Sequence, residues 1–201
     1  MNEDRDAIGA RLSEDRELTL IKPFDNAQVI AGQGTTGLEI AQQAAEAGIE
    51  NADVIVCCGG GGLTSGIALA LEAEAPSLRV RPAEPEGFND VARSLQTGQI
   101  QRNASGGGSI CDAIVTPQPG NLTFPIMQRL CGPGFVVSDN ETLQAVAHAF
   151  NRLKVVAEPG GAVALAAALF RKDQIDGSDV IVTISGGNVD GDMFARALAT
   201  L

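Results

Sequence analysis

A short apolar, β-branched run, Val54-Ile55-Val56-Cys57-Cys58, leads directly into four consecutive glycines, Gly59-Gly60-Gly61-Gly62. An Ala- and Leu-rich stretch follows from Leu63 to Ala75. This order predicts a strand, a tight loop and a helix. Without Cβ atoms, successive backbone N–H groups can converge on one point and a ligand can come close. The helix beyond opens with unpaired N–H groups and a partial positive charge. Together these features make a cradle for a phosphate. The glycines are contiguous rather than spaced as Gly-x-Gly-x-x-Gly, and no acid follows at the usual distance, so a dinucleotide-binding domain is the weaker reading.

The rest of the chain repeats the alternation. A helix is expected from Asp4 to Ser13 and a short strand at Thr19-Leu20-Ile21, broken by Pro23 and a turn at Asp25-Asn26. Val29-Ile30 leads through Gly32-Gln33-Gly34 into a helix from Thr36 to Ala47, with Gly48 as its C-terminal stop. A strand covers Leu78 to Ala83, and Pro82 within it suggests an edge or a strand end. Asn89-Asp90 opens a helix to Gln96, stopped by Gly98. Residues 99–120 read as a long irregular stretch centred on Gly106-Gly107-Gly108. A helix follows from Leu122 to Leu130, then a strand at Phe135-Val136-Val137. Ser138-Asp139-Asn140-Glu141 is a capping box for a helix to Lys154. Glu158-Pro159-Gly160-Gly161 precedes a buried helix from Ala162 to Phe170. A strand from Val180 to Ile184 ends in a second glycine loop, Ser185-Gly186-Gly187-Asn188, and a helix runs from Asp190 to Leu201. The strands are continuous apolar runs, so the fold class is α/β with a mostly parallel sheet and helices on both faces. Both glycine loops fall at C-terminal strand ends, where such sheets bind ligands, and are expected to share one pocket.

Composition narrows the function. The chain has 201 residues, 44% of them hydrophobic, enough for one globular core. A formal net charge of −11 argues against a nucleic-acid partner, as does the lack of Trp and Tyr for base stacking. No apolar run is long enough to cross a bilayer, and the polar start is unlike a secretory signal, so no membrane partner and a cytoplasmic location are expected. The cysteines Cys57, Cys58, Cys111 and Cys131 match no zinc spacing and are expected to be inert thiols. His148, the one histidine, lies within a helical pattern and is read as a packing or surface residue.

Six motifs stand in a recognisable order: Val29-Ile30-Ala31-Gly32-Gln33-Gly34-Thr35, Gly59-Gly60-Gly61-Gly62-Leu63, Ala83-Glu84-Pro85, Glu158-Pro159, Leu165-Ala166-Ala167 and Ser185-Gly186-Gly187-Asn188-Val189-Asp190. In these the chain resembles the C-terminal portion of the fold-type II pyridoxal-phosphate enzymes, the threonine/serine dehydratase and serine racemase group. The resemblance implies part of the large domain of the tryptophan-synthase-β-like fold over residues 25–201, with 1–24 as a remnant of the small domain. It implies pyridoxal 5'-phosphate as cofactor. Gly59, Gly60, Gly61, Gly62 and Leu63 would surround its phosphate. Ser185 would hydrogen-bond the pyridine nitrogen beside Gly186, and Glu158 would stand near the ring. Asp112 matches a family aspartate, but in an altered motif, Cys111-Asp112-Ala113.

The resemblance also implies a divalent-cation loop at Glu84-Pro85-Glu86-Gly87-Phe88-Asn89-Asp90. Glu84 and Asp90 would supply carboxylate oxygens and Phe88 its carbonyl to Mg²⁺ or Ca²⁺. Read from the residues alone, the same two acids serve equally as a solvated strand-end acid and a helix cap. The family's Schiff-base lysine stands in a Ser-x-Lys-x-Arg-Gly setting. The three lysines here, Lys22, Lys154 and Lys172, are in no such setting, so no catalytic residue is assigned. The expected function is that of a truncated dehydratase of hydroxy amino acids, inactive alone. It would be completed by an N-terminal segment or covered by self-association as a homo-oligomer. The alternative is a non-catalytic phosphate-binding or interaction module that pairs with a full-length relative.

Overall fold

The computed structural model describes residues 5–104 and 108–201. Asp4 and the glycines Gly106 and Gly107, each named above, lie outside these. The elements are α1 (Arg5–Asp15), α2 (Ala27–Glu46), β1 (Ala52–Cys57), α3 (Gly62–Glu74), β2 (Leu78–Pro85), α4 (Asp90–Thr97), α5 (Thr123–Leu130), β3 (Phe135–Val137), α6 (Asp139–His148), α7 (Pro159–Phe170), β4 (Val180–Val182) and α8 (Gly191–Leu198). A π-helical turn, Ala149–Leu153, extends α6, and short 3₁₀ turns occupy Asp112–Ile114 and Lys172–Gln174.

The four strands form one parallel sheet in the order β3-β2-β1-β4. All six residues of β1 are buried, which explains its unbroken apolar run. Its side chains alternate between two cores. Val54 and Val56 pack with Ile67, Leu71 and Val80 on the α2–α3 side. Ile55 and Cys57 pack with Phe135, Val146 and Val163 on the α6–α7 side. The sheet is therefore covered on both faces, as the apolar runs predict.

Several expectations need correction. Thr19–Ile21 is not a strand; the segment is irregular, and Leu20 packs against α1 at Gly9. Helix α2 begins nine residues before Thr36. Asn26 caps it, its side chain accepting hydrogen bonds from the Gln28 and Val29 N–H groups at 2.9 and 3.2 Å. Gly34 and Gly37 are thus inside a helix, where they let α3 come into backbone contact: a Cβ on Gly37 would stand 2.8 Å from the Ile67 carbonyl oxygen. Pro82 lies in β2, an inner strand. The Val80 carbonyl accepts from the Gly132 N–H on the β3 side, so Pro82 turns its nitrogen the same way. The β3 ladder begins only at Ala83, so no partner is lost there. Helix α7 starts at Pro159 rather than Ala162, with proline in its first turn, where the missing N–H costs no bond. Strand β4 stops at Val182 and α8 at Leu198. The capping box at Ser138 and Glu141 is present as expected.

Candidate functional site

Strands β1 and β4 are neighbours, so the loops leaving their C-terminal ends lie side by side. The first loop enters α3 through Gly61, whose φ of +90° is the left-handed conformation that favours glycine. The Gly60 carbonyl accepts from the Gly120 N–H at 3.2 Å and from Thr123 Oγ1 at 2.6 Å. On the Cβ side the loop is filled. A Cβ would stand 2.5 Å from Phe24 Cγ at Gly60, 2.9 Å from Met127 Sδ at Gly61 and 3.0 Å from the Ile114 oxygen at Gly59. Among the described residues, no acceptor pairs with the N–H groups of Gly59, Gly60 or Gly61. Gly62 opens α3, so its N–H is one of the helix's unpaired donors. Leu63 is half-buried in the first turn and packs toward the α2–α3 core. Packed glycines with free N–H groups at a helix N-terminus fit an anionic phosphate.

The second loop is stacked on the start of α7. The Ser185 N–H donates to the Gly161 carbonyl at 3.2 Å, and the Glu158 N–H donates to the Gly186 carbonyl at 3.0 Å. The Ser185 hydroxyl is on an exposed residue and has no hydrogen-bond partner among the described residues. The Glu158 carboxylate fills the space in front of Gly186, with Cδ 2.9 Å from where a Cβ would sit. Burial, and then the nearby negative charge of Asp112, push the Glu158 carboxyl above its ordinary range.

A third piece closes the group. The 3₁₀ turn Asp112–Ile114 sets Ile114 against Gly59, and Ala113 Cβ 3.2 Å from the Cβ position of Gly160. The structure thus brings Gly59–Gly62, Glu158, Ser185 and Gly186 to neighbouring loops, with Asp112 beside them, whereas Leu63 turns to the α2–α3 core. It adds Phe24, Ile114 and Thr123, which the sequence reading passed over. Pro23 and the Asp25-Asn26 turn are the signals on either side of Phe24.

Glu84, Phe88 and Asp90 form a separate cluster at the end of β2. Glu84 is fully buried, and its two carboxylate oxygens accept from the Val91 and Ala92 N–H groups at 2.9 and 2.7 Å. Glu84, rather than Asn89, therefore caps α4; Asn89 makes no side-chain cap. Asp90 Oδ1 accepts from Asn103 Nδ2 at 2.6 Å, while Oδ2 is buried without a partner. Phe88 is buried, its N–H bonded to the Pro85 carbonyl. Burial, then the charge of Asp90, push the Glu84 carboxyl well up. Burial lifts Asp90 to about 6, against the opposing hydrogen bond from Asn103. An unpartnered carboxylate oxygen beside a second acid is an arrangement a hard cation relieves. Among the described residues, no three His, Cys, Asp or Glu side chains form a metal-holding group, so any site would depend on a carbonyl and water.

The thiols suit packing rather than reaction. Burial pushes Cys111 and Cys131 up to about 12 and raises Cys58 well above its usual value. Cys57 Sγ donates to the Gly161 carbonyl at 3.3 Å. Lys22, Lys154 and Lys172 are exposed, and Lys154 Nζ donates to the Asn151 carbonyl.

Comparison with known proteins decides the family. A family model described as pyridoxal-phosphate dependent enzyme matches residues 2–187. The chain belongs to this family. It is 40% identical over 200 residues to a serine racemase of Dictyostelium discoideum, covering 98% of this chain and 60% of that protein. It is 35% identical over 188 residues to an L-threonine ammonia-lyase of Thermotoga maritima, covering 94% and 45%. Its fold matches that of a T.th. threonine deaminase with a TM-score of 0.87 at 38% identity, covering 93% of this chain and 63% of that one. The chain thus spans about three-fifths of the length of the serine racemase it matches. Among the described residues, no helix of this family member is long and apolar enough to cross a membrane.

Proposed function

We propose that this chain supplies the cofactor-holding part of a pyridoxal-phosphate-dependent ammonia-lyase or racemase acting on a hydroxy amino acid such as threonine or serine. The observation that carries the reading is the set of unpaired N–H groups at Gly59, Gly60 and Gly61, at the start of α3 and beside the Ser185 loop. Gly59–Gly62 bind the phosphate. The Ser185 hydroxyl donates to the ring nitrogen, and Glu158 flanks the ring over Gly186. When bound, pyridoxal phosphate supplies an electron-withdrawing ring that stabilises negative charge at the substrate α-carbon. A neutral hydroxyl at Ser185 leaves that ring a weaker electron sink, which suits loss of a β-hydroxyl.

The relatives named above are serine racemase, L-threonine ammonia-lyase and threonine deaminase, and they support this substrate class. None of the three lysines stands in the family's lysine setting. The 201 residues alone are therefore read as holding the cofactor without a covalent bond and as not turning substrate over. Glu84, Asp90 and the Phe88 carbonyl are read as ligands for Mg²⁺ or Ca²⁺, on the strength of the unpartnered Asp90 Oδ2.

The test is incubation with pyridoxal phosphate, with an absorbance titration beside intact-mass spectrometry after borohydride reduction. Saturable binding that is lost in Gly61→Ala, with no reduced adduct, is the expected result. A stoichiometric adduct on Lys22, Lys154 or Lys172 would overturn the non-covalent reading, and binding untouched by Gly61→Ala would overturn the cradle.

A second reading has one observation in its favour. Val180 on the edge strand β4 and Val155 and Val156 beside the second loop are exposed apolar residues, which suits a module that pairs with a full-length relative. Co-purification with such a relative, without cofactor binding, would favour it.

A further inference from the structure

Four successive glycines have the widest backbone freedom of any sequence and no side chains with which to fix their own shape. Whatever holds Gly59–Gly62 in one conformation must come from elsewhere. The segment Pro23-Phe24-Asp25-Asn26, between α1 and α2, crosses the Cβ side of this loop. The Phe24 ring occupies the Cβ space of Gly60, and Phe24 Cβ lies 3.0 Å from the Cβ position of Gly62. The next residue, Asp25, has a φ of +55°, a left-handed conformation that costs a non-glycine residue about 1 kcal/mol or more.

That conformation has a local reason. Asp25 Oδ1 accepts from the Leu122 N–H at 2.6 Å, at the start of α5. Its Cγ also fills the Cβ space of Gly120, at 2.6 Å. Gly120 and Thr123 are the two residues that hold the Gly60 carbonyl. Asn26 then caps α2. Four consecutive residues thus tie the glycine loop to the N-terminal ends of α2 and α5.

We infer that Phe24 and Asp25 are positioning residues of the phosphate cradle. Phe24 backs the loop so that the Gly59–Gly61 N–H groups face the ligand already ordered, and Asp25 locks Phe24 in place through Leu122. Neither residue touches the phosphate. Their effect is to remove the ordering cost that a free glycine loop would carry into binding. The inference rests on the reading of Gly59–Gly62 as a phosphate site.

The experiment is ¹⁵N NMR on the 201-residue chain, with heteronuclear NOE values for the Gly59–Gly62 amides and titrations with inorganic phosphate and pyridoxal phosphate. The variants are Phe24→Ala, Phe24→Leu and Asp25→Ala. Expected are lower NOE values at the glycine amides in Phe24→Ala, with about tenfold weaker binding of both ligands. Phe24→Leu and Asp25→Ala, which removes the acceptor for the Leu122 N–H, should give intermediate losses with β4 and α8 resonances unchanged. If Phe24→Ala fails to fold, these two milder variants decide. Wild-type glycine amides that ignore both ligands would reject the phosphate site itself, while the NOE comparison would still decide whether the strap orders the loop. Unchanged NOE values and affinities in all folded variants would overturn the inference.

Discussion

Glu158 stands where a side chain on Gly186 would have to go. Its Cδ lies 2.9 Å from the position of a Gly186 Cβ, and its backbone N–H is bonded to the Gly186 carbonyl. The obstructing atoms are the end of a flexible side chain, so Gly186→Ala can be accommodated by swinging the carboxylate away. The substitution is expected to change the unfolding free energy by less than about 1 kcal/mol. Its effect on pyridoxal-phosphate affinity should match that of Glu158→Ala. The double variant should bind no more weakly than either single one, because both remove the same contact. Additive losses in the titration would show that Gly186 acts independently of Glu158.

Glycines of one helix pair should respond in opposite directions. A Cβ on Gly66 of α3 would stand 2.6 Å from the Gly34 nitrogen and 2.8 Å from the Gln33 carbonyl carbon of α2. Both obstacles are backbone, so Gly66→Ala must push the helices apart and should cost about 2–4 kcal/mol. Gly32, on the exposed face of α2, has nothing within 4 Å of its Cβ position. Gly32→Ala should therefore stabilise the chain by about 0.5–1 kcal/mol through helix propensity alone. Urea unfolding of the two variants measures both, and a loss in Gly32→Ala would contradict the open space.

At the opposite end of the sheet, acid should unfold the protein partly through Asp53. Burial alone would raise this carboxyl, but hydrogen bonds from Arg79, Arg81 and the Asp176 N–H outweigh it and hold Asp53 below its ordinary value. An unfolded aspartate titrates near about 3.9, so the native state binds fewer protons in the window below that. The stabilisation is complete above the unfolded value and disappears as pH falls through the lower folded one. Asp53→Asn leaves Arg81, only 4% exposed, without its charge partner and should cost about 3–5 kcal/mol at neutral pH. The variant should also lose urea stability less steeply than the wild type as pH falls below about 4. Parallel acid limbs in the two proteins would remove Asp53 from the account.

Divalent cations should be felt at Asp90. If Mg²⁺ or Ca²⁺ takes up the unpartnered Asp90 Oδ2, millimolar cation will raise the melting midpoint of the wild type, as any ligand of the native state does. Asp90→Asn keeps an acceptor for Asn103 and lacks the second carboxylate oxygen, so its midpoint should not respond. A response that survives in Asp90→Asn would place the cation elsewhere.

How much of this was legible in the sequence follows from the range of the forces involved. The buried strands, the capping box at Ser138 and the turn of glycines between β1 and α3 rest on local chemistry, and each is readable from a short stretch of neighbouring residues. Gly32 and Gly34 look like breakers, so local chemistry alone places the start of α2 too late. Only the distant Gly66 shows that Gly34 serves close packing instead. Pro82 suggests an edge or a strand end, and it sits at a place where an inner strand has not yet met its neighbour. The role of Phe24 was invisible for the same reason. An aromatic residue before a turn carries no mark of the loop it supports, which lies far along the chain at Gly60.

The pairing of β1 with β4 also bears on how the molecule is made. Cys57 and Thr183 meet across the sheet although 126 positions separate them, and the four described strands are all parallel, so no hairpin joins any two of them. Closing so long a loop carries an entropy cost before the contact rewards it, which favours a late docking of β4. If β4 docks after the other strands, the glycine loop and the Ser185 loop come together after most of the helices have formed. In a refolding experiment, recovery of cofactor binding should trail the recovery of helical signal, and simultaneous recovery would mean that β4 docks early.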